Sequence, residues 1–223
     1  MKKINFTLLA LASLTASQYA TANEQGDVLV RAGLAAVIPN DSSSNIVVGN
    51  DLGVGVSVDN NVQLGLTFAY FVTDRINIEV LAATPFKHQI DFSANDPLGT
   101  GNQLGDVGHL PPTVTANYYF NDLASSFQPY VGAGLNYTLF FNDEFTSENG
   151  AAGLQDLSLD NSFGLAAQIG ADYIIDDTWF VNAAVRWIDI DTSANFNLNG
   201  TAGSVQNIEI DPWVYSVSIG YRI

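Results

Sequence analysis

Cysteine is absent from all 223 residues. That removes disulfide scaffolds, cysteine-ligated zinc and thiol nucleophiles from consideration, so an exported chain of this kind must owe its stability to architecture alone. Positive charge is scarce: seven Lys and Arg stand against 23 Asp and Glu, for a formal net charge of −16. Nucleic acid is therefore not a partner, because phosphate binding needs a basic face. Histidine occurs twice. The signatures G-x-S-x-G, H-E-x-x-H, the phosphate-binding P-loop and the EF-hand loop are all missing, which leaves no enzyme class with a sequence warrant. Beyond residue 22 no apolar run reaches the roughly 20 residues of a membrane-spanning helix, although 47% of the chain is hydrophobic.

What is present begins with an export signal. Lys2 and Lys3 precede a short apolar stretch over residues 4–16, and Ala20-Thr21-Ala22 supplies small residues where a signal peptidase cuts. The run is too short for an anchor. Cleavage after Ala22 makes residues 1–22 a leader and 23–223 a single mature domain of 201 residues. Loss of Lys2 and Lys3 takes the formal charge to −18.

The mature chain reads as eight alternating segments: residues 27–38, 56–72, 76–87, 113–120, 128–141, 162–174, 179–196 and 208–223. In the second, Val62, Leu64, Leu66, Phe68 and Tyr70 share one face, with Gln63, Gly65, Thr67 and Ala69 on the other. In the sixth, Phe163, Leu165, Ala167, Ile169, Ala171 and Tyr173 oppose Gly164, Ala166, Gln168, Gly170 and Asp172. A soluble β-sandwich would pair an apolar inner face with a charged outer one. Here the second face is small and neutral, as in a narrow transmembrane barrel with lipid outside and little room inside. The expected fold is all-β: an eight-stranded antiparallel transmembrane barrel, closed because lipid tolerates no open sheet edge.

Connector lengths alternate as well. Residues 73–75, 121–127 and 175–178 are short; 39–55, 88–112, 142–161 and 197–207 are longer and rich in Gly, Asn, Asp and Ser. Short periplasmic turns and long external loops suit an integral protein of a Gram-negative outer membrane with both termini periplasmic. Residues 151–159 are expected to form a helical turn in the third long loop. Aromatic residues gather near segment ends, among them Tyr70, Phe71, Phe140, Phe141, Trp179 and Trp213, where they would form interfacial girdles. Tyr221 and Ile223 end the chain in an alternating strand, the kind of signal read by the barrel-insertion machinery, with Ile223 where Phe is usual.

Several stretches resemble, in order and over nearly the whole mature chain, the OmpW family of small outer-membrane barrels. They are Gln63-Leu-Gly-Leu-Thr-Phe68, Leu81-Ala-Ala-Thr-Pro-Phe86 with His88, His109-Leu-Pro-Pro-Thr113, Pro129-Tyr-Val-Gly-Ala-Gly-Leu-Asn-Tyr-Thr138, Ile188-Asp-Ile-Asp-Thr192, Asp211-Pro-Trp-Val214 and Gly220-Tyr-Arg222. The resemblance implies a narrow, largely hydrophobic channel through which small apolar molecules cross the outer membrane and leave sideways through the wall.

Strand parity turns Arg31, Arg186 and Arg222 inward, together with Glu79, Asp172, Glu209 and Asp211. Interior charge is costly unless paired or hydrated, so Arg31, Glu79, Asp172, Arg186 and Arg222 are expected to form a network. It would either close the lower lumen or act as a polar constriction. Leu81 is the leading candidate lining residue, with Phe180 and Ile188 behind it, since inward apolar side chains narrow the channel in the family. Arg186 also lines the lumen, at an inward position where an aromatic residue would suit a hydrophobic channel. His88 and His109 flank the second long loop at the outer rim. Two imidazoles fall short of a metal site, and hydrogen bonding is their expected role. A catalytic arrangement of either with a nearby serine, as in lipid-modifying barrels, lacks an evident partner. Asp189 and Asp191, with Asp143, Glu144 and Glu148, would either bind Ca²⁺, form a solvated face, or bridge to lipopolysaccharide through divalent cations.

No cofactor and no metal is expected. The sequence leaves two functions standing: a passive channel for small hydrophobic molecules, and a closed structural barrel whose loops bind partners or lipopolysaccharide.

Overall fold

A computed structural model of the chain describes residues 23–120 and 125–223; the expected leader, residues 1–22, lies outside them. Sixteen strands follow one another among the described residues: β1 (Val28–Ile38), β2 (Ile46–Val48), β3 (Asn50–Asp51), β4 (Val56–Val58), β5 (Asn61–Thr73), β6 (Ile76–Ala83), β7 (Phe86–Phe92), β8 (Gln103–Leu110), β9 (Thr113–Tyr119), β10 (Phe127–Phe145), β11 (Leu154–Leu159), β12 (Ser162–Ile174), β13 (Trp179–Ile188), β14 (Asp191–Leu198), β15 (Thr201–Glu209) and β16 (Trp213–Arg222). Eight of them close into the expected antiparallel barrel. Its circuit runs β1, β5, β6, β9, β10, β12, β13, β16 and back to β1.

The alternating apolar residues do face outward. Leu64 is 62% exposed and Phe163 68%, which makes sense only where lipid covers them. The inward face stays small because the strands crowd one another. A Cβ on Gly134 would stand 1.9 Å from the carbonyl oxygen of Val114, and one on Gly33 would stand 2.1 Å from that of Val217. An eight-stranded barrel has an interior little wider than the side chains that enter it.

Inward residues along β1 measure out the layers of the interior. Leu29, nearest the termini, packs with Phe71, Tyr119, Tyr130, Ile174 and Phe180. Arg31 lies above it in a polar layer. Ala35 and Val37 then join Phe86, Ile188, Ile190 and Val214 in a second apolar layer.

The far end departs from the sequence reading. Much of the long connections is further sheet rather than loop. On one side, β4, β7, β8 and the upper part of β10 are laddered together. On the other, β11, β14, β15, β2 and β3 form a separate five-stranded sheet. Accordingly the segment 179–196 is two strands, broken at residues 189–190; 56–72 divides into β4 and β5; 76–87 ends at Ala83 and resumes in β7; and 208–223 divides at residues 210–212. The helical turn is also displaced. A five-residue helix covers Ser147–Ala151, capped by Thr146, whose side chain accepts a hydrogen bond from the Asn149 backbone N–H, while Leu154–Leu159 is a strand.

These strands tolerate asparagine and aspartate because those residues sit at bulges. Asn142, Asp156 and Asn207 adopt φ of 52°, 56° and 50°, where Asn and Asp are the best-tolerated residues after glycine. Each falls where a ladder slips register. Two acids expected inside are not there: Glu209 is exposed and Asp211, at φ 36°, is half-buried at the rim, neither within the lumen, because both share the odd-numbered, outward side of Trp213 and Tyr215.

Candidate functional site

The two far-end sheets face each other across an apolar cavity. One contributes Val56, Phe92, His88, Val107 and His109; the other contributes Leu154, Leu157, Ala194, Phe196 and Val205. Phe145 and Phe196 meet edge to face between them, with ring centroids 5.8 Å apart. The empty space there, open solvent at its mouth included, is about 1070 Å³. Among the described residues its lining carries no charge, and only His88, His109, Thr138 and Thr192 bring polar side chains to it. A concave apolar site with a few polar groups is the usual form of a small-molecule pocket.

His88 and His109 are brought face to face, ring centroids 4.8 Å apart and nearly parallel, with Phe86 stacked on His109 at 5.2 Å. Both are buried. His88 Nδ1 lies 2.6 Å from the backbone carbonyl oxygen of Asp59. Burial pushes both imidazoles below the usual histidine range, and the neighbouring His88 pushes His109 further. Both rings are thus neutral in the folded protein at neutral pH. The unfolded chain takes up protons near pH 6.5 while the folded one resists. The contribution of this pair to stability is therefore complete above that pH and is lost as pH falls toward the folded values. Imidazole ¹⁵N spectra should show both midpoints below about 6.5; a midpoint at or above it for either ring contradicts this account.

Below the cavity the lumen is filled by a polar layer. Arg31 Nη1 is 2.6 Å from Glu79 Oε2, and Arg31 Nη2 is 3.0 Å from Asp172 Oδ2. Arg186 Nη2 meets the other Glu79 oxygen at 2.8 Å and also donates to Gln168 Oε1. Tyr119 donates to Asp172 at 2.8 Å, and Asn182 does so to the second Asp172 oxygen at 2.8 Å. Gln168 Nε2 donates to Glu79, Thr115 and Asn117. Two guanidiniums thus share two carboxylates, and neutral side chains donate to the same carboxylate oxygens, the pairing under which buried charge is tolerated, while the Nε of each guanidinium has no partner among the described residues. Arg222 sits nearer the termini, bonded to Asn23 at 3.1 Å and 3.7 Å from Asp27.

Leu81 and Arg186 line a second, smaller space of about 390 Å³ beside this network, together with Arg31, Thr67 and Glu79. Ile188 is packed between the network and the main cavity, against Ile190 and Phe86. Phe180 lines neither space. It lies in the basal layer, with the Arg31 guanidinium 5.4 Å from its ring centroid.

Asp189 and Asp191 are brought together with Asp211, their carboxylate oxygens within 4.8 Å of one another. Asp143 instead accepts a hydrogen bond from the Leu159 backbone N–H at 3.0 Å. The cavity itself is what sequence reasoning misses. Its apolar residues are interleaved with Gly, Asn and Asp, so they read as loop. The one signal was the recurrence of Val, Leu, Ile and Phe in connections too long for simple turns.

A protein-family model described as the OmpW family matches residues 24–223. Outer membrane protein W of Vibrio cholerae serotype O1 is 46% identical over 222 residues, covering all of both chains. Outer membrane protein W of Escherichia coli K12 is 47% identical over the same length and coverage. Among solved structures, the outer membrane protein OprG from Pseudomonas aeruginosa superposes with a TM-score of 0.85 at 38% identity, covering 92% of this chain and 99% of the other.

Proposed function

Since the chain belongs to the OmpW family and its barrel lies in the outer membrane among lipid, we propose that it admits small hydrophobic molecules passively through that membrane. The observation that carries this reading is the uncharged apolar cavity at the far end. The function is passage, not catalysis. In this reading residues 1–22 direct export, the insertion machinery recognises the final strand, both termini are periplasmic and the cavity opens outward. Apart from Lys87, every charged side chain in residues 39–59, 86–110, 142–160 and 189–211 is acidic. Such a rim suits divalent-cation bridges to lipopolysaccharide.

A solute in the cavity meets the Arg31–Glu79–Arg186–Asp172 layer below it, which opposes straight passage. Its exit is sideways. The upper part of β10 and β11 belong to different sheets, and their seam is spanned by side chains: Asp143 to the Leu159 N–H at 3.0 Å and Asn161 to the Phe140 N–H at 3.1 Å. Opening such a seam breaks fewer hydrogen bonds than parting a ladder. Leu81, Arg186 and Ile188 then border the blocked lower route, and Phe180 secures its base.

The test is to place charge in the cavity without altering the barrel. Leu98 and Leu157 both line it and are only partly buried, so the pair Leu98→Asp and Leu157→Asp should fold. Uncompensated carboxylates there make the site hostile to apolar solutes. Uptake of an apolar fluorophore by cells producing the double variant should fall to that of cells lacking the protein. Undiminished uptake by a folded variant would take the cavity out of the route, and wild-type uptake no higher than that of cells lacking the protein would favour the second reading, a closed structural barrel, to which the filled lumen gives its own support.

A further inference from the structure

We infer that the stacked His88–His109 pair is the polar end of a binding site for neutral, mainly apolar molecules that carry one hydroxyl group, such as phenols and alcohols. The inference rests on the cavity reading above and specifies its ligand.

The argument starts from hydrogen-bond bookkeeping. His88 Nδ1 lies 2.6 Å from the Asp59 carbonyl oxygen. A carbonyl oxygen only accepts, so Nδ1 must carry the hydrogen. In a neutral ring Nε2 is then a bare acceptor. That atom is buried and has no hydrogen-bond partner among the described residues. The residue as a whole is 2% exposed. An unmet acceptor in an apolar site costs stability until something donates to it.

His109 supplies the complementary half. It lines the same cavity, stacks on His88, and makes no side-chain hydrogen bond among the described residues. Its tautomer is therefore free, and either nitrogen can offer an N–H. The other polar lining groups are already engaged: Thr138 donates to Asn136 Oδ1 at 2.7 Å and Thr192 to the Asp160 carbonyl oxygen at 2.6 Å. A hydroxyl matches the pair because it both donates, to His88 Nε2, and accepts, from His109. A hydrocarbon satisfies neither ring. A carboxylate cannot donate, and it must also cross a rim whose charges, Lys87 excepted, are all negative. Both rings stay neutral at neutral pH because burial lowers their proton affinity, so neither becomes the cation that would hold an anion there.

The experiment compares three ligands of one shape, naphthalene, 2-naphthol and 2-naphthoate. Each is bound to the full-length mature protein in lipid nanodiscs, with empty nanodiscs subtracted. The expected order is 2-naphthol tightest, by about tenfold over naphthalene, with 2-naphthoate weakest. The His88 Nε2 resonance should shift with 2-naphthol and not with naphthalene. His88→Phe keeps a stacked ring and removes the acceptor; it should retain naphthalene and lose the preference for 2-naphthol. Equal binding of naphthalene and 2-naphthol by the wild-type protein overturns this inference while leaving the apolar-uptake reading intact. So does 2-naphthoate binding as tightly as 2-naphthol. Binding of none of the three overturns both. The wild-type comparison decides the matter even if the variant does not fold.

Discussion

Glu79→Ala is expected to lower the unfolding free energy of the barrel by about 3–5 kcal/mol, the range for stripping one partner from a buried ion pair. Glu79 is 2% exposed and is the one carboxylate shared by both interior guanidiniums, at 2.6 Å from Arg31 and 2.8 Å from Arg186. Its removal leaves Arg186 with Gln168 alone among the network partners described above, and leaves Arg31 with Asp172 and with the Tyr119 hydroxyl oxygen, to which Arg31 Nη2 donates at 2.9 Å. The lumen then holds two cations and one anion at a narrow waist. Urea titration in detergent or lipid measures the loss. Single-channel recording measures a second consequence, an increased conductance favouring anions. A change in stability below about 1 kcal/mol would mean that water reaches this layer and screens it.

Gly134→Leu should go further and prevent the barrel from forming. Gly134 pairs with Thr115 across the β9–β10 ladder. Any Cβ there would lie 1.9 Å from the Val114 oxygen and 2.6 Å from the Thr115 Cα. Ordinary overpacking against side chains costs about 1–3 kcal/mol because rotamers give way. Backbone cannot, and in a closed circuit of eight strands no edge is free to move aside. The variant should lack the folded, heat-modifiable band on electrophoresis. Gly150→Ala, where nothing beyond its own helix and chain neighbours lies within 4 Å of the added methyl, should be indistinguishable from wild type. A folded Gly134→Leu barrel would show that the strands can spread, and with them the lumen.

The barrel is legible in the sequence because one physical rule governs every spanning strand: lipid on one side, crowding on the other. Val62 to Tyr70 and Phe163 to Tyr173 obey it without interruption. The far-end sheets obey no such uninterrupted rule. Asn142, Asp156 and Asn207 take left-handed backbone at bulges, and each bulge reverses which side the following residues face. Alternation breaks, and bulged strands acquire the composition of loops. The cavity disappears from view with it, since Leu154, Phe196 and Val205 belong to those strands. The interior charges pose a different problem. Parity tells which side of a strand a residue takes, but not which residue it meets across the lumen. Arg31 and Glu79 are 48 positions apart, and Arg31 and Asp172 are 141 apart. Tyr119, Gln168 and Asn182 complete the layer, yet nothing in their local sequence distinguishes them from other inward residues.

The same layer has an electrical consequence. Arg31, Arg186, Glu79 and Asp172 together contribute equal numbers of positive and negative groups. A transmembrane potential does work only on net charge that moves along the field. Displaced as a unit, this cluster carries no gating charge. Movement of the intact layer is thus indifferent to voltage, and its disruption is set by what breaks the internal pairing. A lumen filled in this way gives a membrane potential no lever on the intact layer, which yields to chemistry that reaches its interior.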